Sequence, residues 1–344
     1  MYDYIIVTHI PAFYKVNLYN ELAKKLHILV IFIASNTNEK RADDFITLEN
    51  AKFEYELLFD GDFQDRNVFK DIDKLKKILK DIKYKKILVS GWDLIEFWYL
   101  VFINSKSKNC LALESTILES NTKGLKGMIK KVFLSRISTV FASGRLHTEL
   151  LKELRYKNII NITQGVGIIN KPKFKYETKE YQKRFLYIGR LSEVKNLEIL
   201  IKIFNELKEY KLTIVGTGKM EKYLKSIASK NIIFLGVIEN KNIKNQFKEN
   251  DIFILPSISE PWGLVVEEAL YFGLPVMISE NCGSCELIEN DINGYIFNPN
   301  DSENIKSAIM NIDKVKYDRL ISNTNFFFLG NKDKLQIMIY EQVD

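Results

Sequence analysis

The sequence predicts an α/β protein with two doubly wound, largely parallel sheets. Short apolar runs rich in β-branched residues alternate with longer segments of helical period along the chain. The length of 344 residues exceeds what one compact core usually holds and suits two domains. The alternation fails near residues 165–183, where Pro172 lies among charged residues. We therefore predict a first domain over residues 1–170 and a second over residues 171–325.

Twelve apolar runs are the predicted strands. In the first domain they cover residues 4–8, 28–34, 86–90, 110–114, 139–143 and 159–163. In the second domain they cover residues 184–188, 211–215, 232–235, 251–255, 275–278 and 294–297. The helical pattern covers residues 16–26, 70–82, 123–137, 196–208, 220–229, 263–272 and 302–311. Two such domains are expected to face each other across a cleft lined by the carboxyl ends of their strands, where ligands of this architecture bind.

Composition and charge exclude several classes of protein. Hydrophobic residues make up 46% and charged residues 27%, and the three cysteines are too few for a disulfide scaffold. The longest apolar runs, near residues 29–34 and 97–103, are far shorter than a membrane span, and we expect a cytoplasmic protein without a secretory signal. Residues 101–175 carry 14 basic and 4 acidic residues, whereas the segments on either side are slightly acidic. This basic stretch favours an anionic partner.

The most informative segment covers residues 251–273 and reads DIFILPSISEPWGLVVEEALYFG. A buried strand is followed by a short polar loop that contains Glu260, and Gly263 then opens an amphipathic helix with Glu268 in its second turn. The amides of Gly263, Leu264 and Val265 are expected to point into the cleft, where they suit a diphosphate. The two carboxylates can accept hydrogen bonds from sugar hydroxyls.

At these residues the sequence resembles the retaining glycosyltransferases of family 4, also called glycosyl transferases group 1, which have the GT-B fold of two Rossmann-like domains. Their signature is a glutamate, seven further residues, and a second glutamate followed by alanine, which here corresponds to Glu260 and Glu268–Ala269. The resemblance implies that Glu260 contacts the transferred sugar and that Glu268 holds the ribose of the nucleotide. Glu267 is out of register with this spacing and is expected to face solvent. The resemblance also implies that residues 326–344 form a helix, over about residues 331–343, that crosses back to the first domain.

Two further segments resemble the same family. Residues 185–197, FLYIGRLSEVKNL, match a block whose basic residues, here Arg190 and Lys195, bind the donor diphosphate. Residues 212–218, LTIVGTG, and 231–236, NIIFLG, resemble the next βαβ unit, whose loops border the nucleotide. The glycines that end these strands are the remaining candidates for donor binding: Gly189, Gly216 and Gly236. Cations and helix-end amides stabilise the charge that develops on a leaving diphosphate.

Other short patterns have ordinary structural interpretations. Taken alone, a glutamate pair at helical spacing is usually a solvated face, and Arg190 would be a surface cation. Asp60–Gly61–Asp62 and Asp71–Ile72–Asp73 have the form of a metal-binding Asp–x–Asp motif, but a loop and a helix start are the better interpretations. Cys282 and Cys285 have no second cysteine pair or nearby histidine and are interpreted as small residues in a tight turn. No metal site is predicted.

The first domain offers candidates for the acceptor side. Lys15 lies in PAFYKVNLY, which weakly resembles a Pro–x–x–x–Arg loop of some family members, with lysine where arginine is usual. Glu114 begins a Glu–Ser–Thr triplet after a strand and is a candidate for a polar group near the reacting carbon, although a structural carboxylate at a strand end fits nearly as well. Arg145 ends the next strand and is a candidate for contact with an acceptor phosphate. His9 and His147 can also face the cleft, with a surface position as the default for each.

The combined prediction is a metal-independent, retaining glycosyltransferase of the hexosyltransferase class. It would move a sugar from a UDP- or GDP-linked donor, as co-substrate and without a cofactor, to a glycan or lipid-linked acceptor in bacterial surface polysaccharide assembly. The catalytic set is Glu260, Arg190, Lys195 and Glu114. The alternatives are a nucleotide-sugar epimerase of similar form and a non-catalytic protein that binds the donor. Nucleic acid is not expected as a partner, because the basic stretch lacks interleaved aromatic residues.

Residues 122–138, TKGLKGMIKKVFLSRIS, combine five cations with apolar residues at helical spacing. The apolar set is Leu125, Met128, Ile129, Val132, Phe133 and Leu134. One interpretation is an ordinary domain helix with its apolar side in the core. The other is a helix that lies in a membrane surface, which the surrounding positive charge favours. We therefore predict peripheral association with the cytoplasmic face of the inner membrane.

Overall fold

Two parallel β-sheets organise the computed structural model, which describes residues 1–174, 179–324 and 326–342. Residues 175–178 of the predicted boundary segment and residue 343 of the predicted terminal helix lie outside the described residues. One unit comprises residues 1–39, 45–170 and 332–344, and the other comprises residues 40–44 and 171–331. The chain thus passes from the first unit to the second and back twice.

The first unit holds a seven-stranded sheet of order β3-β2-β1-β4-β5-β6-β7, in which all pairs are parallel. Its strands are β1 (Tyr2–Thr8), β2 (Ile28–Asn36), β3 (Glu54–Asp62), β4 (Tyr84–Val89), β5 (Asn109–Leu113), β6 (Thr139–Ala142) and β7 (Ile159–Ile162). Its helices are α1 (Phe13–Leu22), α2 (Val68–Lys80), α3 (Ile95–Ile103), α4 (Gly124–Ser135) and α5 (Arg145–Glu153).

The second unit holds a six-stranded sheet of order β10-β9-β8-β11-β12-β13, again with all pairs parallel. Its strands are β8 (Arg184–Ile188), β9 (Lys211–Val215), β10 (Ile232–Gly236), β11 (Ile252–Leu255), β12 (Val276–Ser279) and β13 (Gly294–Phe297). Its helices are α6 (Leu197–Glu206), α7 (Glu221–Ile227), α8 (Asn240–Glu249), α9 (Leu264–Tyr271), α10 (Ser302–Met310) and α11 (Lys314–Asn323). A last helix, α12 (Phe326–Tyr340), continues from the second unit into the first.

Burial of both sheet faces explains why the strands are nearly continuous apolar runs. In β1, Ile5 and Val7 pack into one hydrophobic cluster, while Tyr4 and Ile6 pack into another. Successive side chains of a strand point to opposite faces, so these two clusters are the two layers between sheet and helices. The predicted fold class of two doubly wound parallel-sheet domains is confirmed.

The structure corrects the interpretation of Asp60–Gly61–Asp62 as a loop. These residues are the end of β3, an edge strand that was not predicted. Its residues are largely exposed or half-buried, because an edge strand has one neighbour only, and its charged sequence lacks the apolar run of the central strands. Asp71 and Asp73 lie near the start of α2, as predicted. Helices α3, α5, α8 and α11 were also not predicted.

In each sheet the strand order reverses once, between β1 and β4 in the first and between β8 and β11 in the second. The crossover helices that follow the two strands at such a point pack on opposite faces of the sheet. The loops at the carboxyl ends of these strands therefore diverge, and a crevice lies between them. In the second unit these loops cover residues 189–196 and 256–263. They contain five of the residues that the sequence predicts for the donor site: Gly189, Arg190, Lys195, Glu260 and Gly263.

Close backbone contacts hold the strand-end loops of the second unit together. The Gly189 N–H donates to Val215 O at 3.0 Å, and the Gly216 N–H donates to Gly236 O at 2.7 Å. Gly216 has a φ of +130°, and a Cβ atom at this position would lie 1.9 Å from Gly189 O. Glycine is therefore required here by both conformation and space.

We expect Gly216→Ala to lower the free energy of unfolding by more than about 2 kcal/mol, because backbone strain of this kind costs of order 1–3 kcal/mol before any overlap is counted. Gly236→Ala is the matched control. Gly236 also has a positive φ of +71°, but no atom lies within 4 Å of its Cβ position. Urea denaturation of the two variants measures the difference, and equal losses would contradict the steric argument.

Candidate functional site

The two loops at the strand reversal of the second sheet meet through an ion pair. Lys195 lies in a short 3-10 helix after β8, Glu260 lies in the loop after β11, and the Lys195 ammonium donates to Glu260 Oε2. Both side chains are largely buried, with 13% and 15% of their surface exposed. A backbone hydrogen bond of 2.8 Å from Ile258 N to Val194 O fixes the same two loops. The structure therefore brings together two of the predicted catalytic residues.

Glu260 is also held by the loop after β12. Its N–H donates to Asn281 O at 3.2 Å, and its carbonyl accepts from Gly283 N at 2.9 Å. Residues 283–287 form a tight 3-10 turn with Cys282 before it and Cys285 within it, as predicted, and neither of these cysteines forms a disulfide. Burial raises the pKa of the Cys282 thiol well above its ordinary value, so this thiol is protonated. A buried neutral thiol acts here as a small apolar side chain.

Helix α9 begins at this site. Gly263 precedes it with a left-handed φ of +90° and has no side chain to cap the helix, and Gly263, Leu264 and Val265 are half-buried. Amides at the start of an α-helix have no acceptor within the helix, and the helix dipole makes this end electropositive. The predicted arrangement of helix-end amides beside Glu260 is thus present in one unit.

Glu267 was expected to face solvent, and the structure shows that this was wrong. Its side chain is fully buried, and Glu267 Oε1 accepts a hydrogen bond of 2.7 Å from Trp262 Nε1. Trp262 is 2% exposed and directly precedes Gly263, so this bond fixes the entry of the chain into α9. The exposed face of α9 could not be assigned from the spacing of one glutamate pair. Trp262, next to Gly263, was the available signal, because a buried indole N–H needs a hydrogen-bond acceptor nearby.

Glu268 is half-buried in the second turn of α9. Burial, with a smaller contribution from the charge of Glu267, raises the pKa of the Glu268 carboxyl to about 8. The protein at neutral pH therefore holds a proton on Glu268, and this group can donate as well as accept a hydrogen bond.

The remaining cation of the predicted set, Arg190, has an exposed side chain. Its backbone carbonyl accepts a hydrogen bond from the Tyr187 hydroxyl at 2.9 Å.

The predicted acceptor-side residues lie in the first unit. Lys15 of α1 is 5% exposed, and its ammonium contacts Glu114 Oε1 at 2.6 Å and donates to Thr8 Oγ1 at 3.0 Å. Burial opposes the charge on Lys15, but the carboxylate of Glu114 outweighs it and the pKa of Lys15 lies above its ordinary value. Thr8 ends β1 and Glu114 follows β5, so the ion pair lies at the carboxyl edge of the first sheet.

The two histidine candidates and Arg145 have different surroundings. His147 is fully buried, which corrects its default surface position, and burial lowers its pKa to about 4. His9 is partly exposed, and its Nε2 lies 2.9 Å from Asp93 Oδ2. Arg145 begins α5 and forms an exposed ion pair of 2.7 Å with Glu149. The structure thus brings the candidates Lys15 and Glu114 into direct contact.

No three His, Cys, Asp or Glu side chains within the described ranges form a cluster that could hold a metal ion. The two aspartates of the Asp60–Asp62 pattern have other surroundings: Asp60 Oδ1 accepts from the Ser35 hydroxyl at 2.7 Å, and Asp62 ends the strand.

The two parallel-sheet units correspond to the GT-B fold that the sequence predicts. Residues 169–326 match the family model of glycosyl transferases group 1. This match covers just under half of the chain and agrees with the resemblance to the same family that the sequence predicts.

The chain is similar in sequence to several glycosyltransferases and similar in fold to a solved structure. An uncharacterised glycosyltransferase of Methanocaldococcus jannaschii is 28% identical over 191 residues, 53% of this chain and 44% of that protein. One of Haemophilus influenzae is 25% identical over 94% of this chain and 89% of that protein. The Escherichia coli O-antigen biosynthesis glycosyltransferase WbnH is 27% identical over 72% and 75% of the two chains. Anabaena HepE in complex with UDP-glucose has the same fold, with a TM-score of 0.73, 17% identity and coverage of 99% and 98%.

The raised pKa of Glu268 predicts a pH-dependent contribution to stability. Between its ordinary value of 4.5 and about 8, the folded protein keeps a proton that the unfolded chain releases. Stability from this group is therefore present at low pH and is lost as the pH rises through this window. We expect Glu268→Gln to become more stable relative to the parent protein as the pH is raised from 5 to 8.5.

Urea denaturation at these two pH values measures this effect. Glu249→Gln, which changes an exposed glutamate at the end of α8, is the control and is expected to follow the parent profile. If Glu268→Gln and the parent protein show parallel pH profiles, Glu268 has no raised pKa.

Proposed function

We propose that this chain is a retaining, metal-independent glycosyltransferase that moves one sugar from a nucleoside diphosphate sugar to a glycan or lipid-linked acceptor. The observation that carries the proposal is the Lys195–Glu260 ion pair beside the open start of α9, inside the group 1 family segment. It offers a cation and helix amides for a diphosphate and a carboxylate for a sugar. HepE is solved with UDP-glucose, which makes a UDP-sugar the first donor to test and a GDP-sugar the second.

Lys195 and Glu260 neutralise each other in the free protein. A diphosphate that binds at Lys195, Arg190 and the amides of α9 competes with Glu260 for the lysine, so Glu260 becomes available to hydrogen-bond a sugar hydroxyl. The cations stabilise the negative charge that develops on the diphosphate as its bond to the anomeric carbon breaks. No metal ion is required for this role.

The proposed transfer retains the configuration of the anomeric carbon. The bond from this carbon to the β-phosphate oxygen breaks, and a bond to the acceptor hydroxyl oxygen forms on the same face. The acceptor proton passes to the leaving diphosphate, so charge and atoms balance. In this scheme Glu260 positions the sugar and Glu268 holds the ribose of the nucleotide.

In the first unit, Glu114 and Lys15 are the proposed polar groups of the acceptor side. Their ion pair keeps the Glu114 carboxylate at the carboxyl edge of the first sheet, where Thr8 at the end of β1 accepts a hydrogen bond from the same lysine. His9 and Arg145 remain further acceptor-side candidates. The WbnH relative is an O-antigen biosynthesis glycosyltransferase, which supports a surface glycan as the acceptor class.

Product analysis tests the proposal. Purified protein is incubated with a panel of UDP- and GDP-sugars, with and without a cell lipid extract, and products are identified by mass spectrometry and by NMR of the anomeric proton. We expect acceptor-dependent transfer with retention, unchanged by EDTA. A released, acceptor-independent sugar nucleotide would show an epimerase instead. Strict dependence on Mn²⁺ or Mg²⁺ would refute metal independence, and donor binding without turnover would show a non-catalytic protein.

Variants of the donor site are expected to separate the proposed roles. Lys195→Ala and Arg190→Ala should each reduce turnover by about 10²–10³-fold, the effect of removing one group that stabilises transition-state charge. Glu260→Ala should impair transfer while binding of free UDP persists, because its partner is the sugar. Glu268→Ala should weaken UDP binding itself.

Turnover and calorimetric titration with UDP measure these effects. Lys222→Ala, which removes an exposed cation from α7, is the control for a general loss of charge and should resemble the parent protein. Equal loss of UDP affinity in Glu260→Ala and Glu268→Ala would show that the two roles are wrongly divided.

We also propose that the enzyme works as a peripheral protein on the cytoplasmic face of the membrane, attached through α4. No helix in the part of the chain that the structure describes is long and apolar enough to cross a bilayer. On α4 the residues Leu125, Met128, Ile129 and Val132 are between 45% and 71% exposed. Their spacing of three and four places them along one side of the helix, whereas Phe133 and Leu134 pack in the core.

This outward apolar stripe is flanked by four lysines. Lys123, Lys126 and Lys131 are exposed, and Lys130 is half-buried. An ordinary domain helix turns its apolar side inward, so the exposure favours the membrane-surface interpretation of the sequence. Each lysine near an anionic leaflet contributes about 1 kcal/mol, so four of them suffice for reversible binding.

We expect the protein to float with vesicles that contain 30% phosphatidylglycerol at low salt and to be released by high salt. Replacing Lys123, Lys126, Lys130 and Lys131 together by glutamine should abolish flotation. The control replaces the same number of exposed lysines in the second unit by glutamine. These are Lys211, Lys222, Lys230 and Lys244. Absence of flotation at low salt, or the same behaviour in both variants, would refute the role of α4.

A further inference from the structure

A pocket of about 310 Å³ lies beside the exposed stripe of α4, in the first unit. It is formed by the loop after β4, by α3, by the loop after β5 and by α4. Its lining residues are Trp92, Trp98, Glu119, Asn121, Lys126, Ile129 and Lys130. We call it the α4 pocket. None of its residues belongs to the proposed donor site or to the Lys15–Glu114 pair.

The aromatic wall of the α4 pocket is fixed by its own contacts. Trp98 Nε1 donates to Trp92 O at 2.8 Å, and the Trp98 ring packs edge to face on Phe133 with 5.0 Å between the ring centroids. The Trp98 ring also stacks on the Phe102 ring at 5.8 Å. Two tryptophans are thus held in place around the pocket before any ligand binds, which lowers the entropic cost of binding.

Two lysines supply positive charge to the same pocket. Lys130 Nζ donates to Asn121 O at 2.9 Å and lies 5.6 Å from the centre of the Trp92 ring. Lys126, one helical turn earlier, is exposed. Burial and the nearby charge of Lys126 lower the pKa of Lys130, so an anion placed between the two lysines would relieve their repulsion.

The acidic residue of the lining is already engaged elsewhere. Glu119 Oε1 accepts a hydrogen bond of 3.0 Å from Thr116 N, which stabilises the loop after β5. Asn121 likewise stabilises the turn before α4, where its Oδ1 accepts from Lys123 N at 2.9 Å. These bonds shape the polar side of the pocket, whose lining carries two lysines and one carboxylate and is therefore net positive.

The α4 pocket is continuous with the outward apolar stripe, because Ile129 belongs to both. A ligand that fits this combination carries an anionic group for the lysines and an apolar part for the stripe. Phosphate on an acyl-bearing lipid has both features, whereas free phosphate has only the first.

We propose that the α4 pocket binds the phosphate headgroup of an anionic membrane lipid, with Lys126 and Lys130 as the phosphate ligands and Trp92 and Trp98 beside the glycerol part. The proposal rests on the proposed membrane association of α4 and makes it specific: it predicts one headgroup site instead of a diffuse attraction to negative charge.

Short-chain lipid below its micellar concentration tests the site without a membrane. Two of the three tryptophans of the chain line the pocket, and the third, Trp262, is buried in the second unit, so tryptophan fluorescence reports on the pocket. We expect dihexanoyl phosphatidic acid to change the emission in a saturable way. The zwitterionic dihexanoyl phosphatidylcholine and inorganic phosphate should bind at least about tenfold more weakly.

Lys126→Ala and Lys131→Ala form a matched pair, because both remove one exposed lysine of α4 and only Lys126 lines the pocket. We expect Lys126→Ala to weaken binding of the phosphatidic acid by about fivefold or more, the effect of one lysine at an anionic lipid surface. Lys131→Ala should bind like the parent protein. Trp92→Leu should also weaken binding, with circular dichroism as the check on folding.

Three results would overturn the proposal. Equal weakening in Lys126→Ala and Lys131→Ala would show diffuse charge attraction. Inorganic phosphate binding as tightly as the lipid would show a site for free phosphate. Absence of any saturable emission change with phosphatidic acid would show no site at all. Flotation with phosphatidylglycerol vesicles and calorimetric UDP binding, measured on the same variants, report separately on α4 attachment and on the donor site.

Discussion

Parallel pairing of every strand in both sheets is the constraint on which the functional arrangement depends. A parallel neighbour requires a crossover, so the loops at the carboxyl ends of the strands all emerge at one edge of each sheet. In the second unit this places the loops after β8, β11 and β12 side by side although they are far apart in the sequence. The Lys195–Glu260 pair and the backbone bonds around it are made possible by that convergence.

Two adjacent glutamates of α9 show how environment separates chemically identical groups. Glu267 is turned into the core, where the Trp262 indole satisfies it and fixes the start of the helix. Glu268 is half-buried, and its pKa is raised to about 8 by burial and by the charge of its neighbour. One glutamate thus supports the geometry of the site, and the other is available to a ligand with a proton that it can give or keep.

The first unit presents charge in two contrasting ways. Lys15 and Glu114 are held together at the sheet edge, where a buried lysine needs an opposite charge within contact distance. The lysines of α4, in contrast, surround an apolar stripe that points to the outside. The lysine of this pair is buried and can orient the partly exposed Glu114 carboxylate at a defined position. The exposed helix suits a broad anionic surface, and the α4 pocket is the proposed site for a single headgroup of that surface.

The sequence by itself determined the fold class, twelve of the thirteen strands that the structure describes, and the family resemblance, because buried sheet faces and motif spacing leave direct patterns in the residues. It did not predict β3, whose exposed edge position needs no apolar run. It also could not tell that Glu267 and His147 are buried or that the apolar stripe of α4 faces outward. Helical periodicity shows which residues share a face, but only the packing of the other elements decides which face is covered.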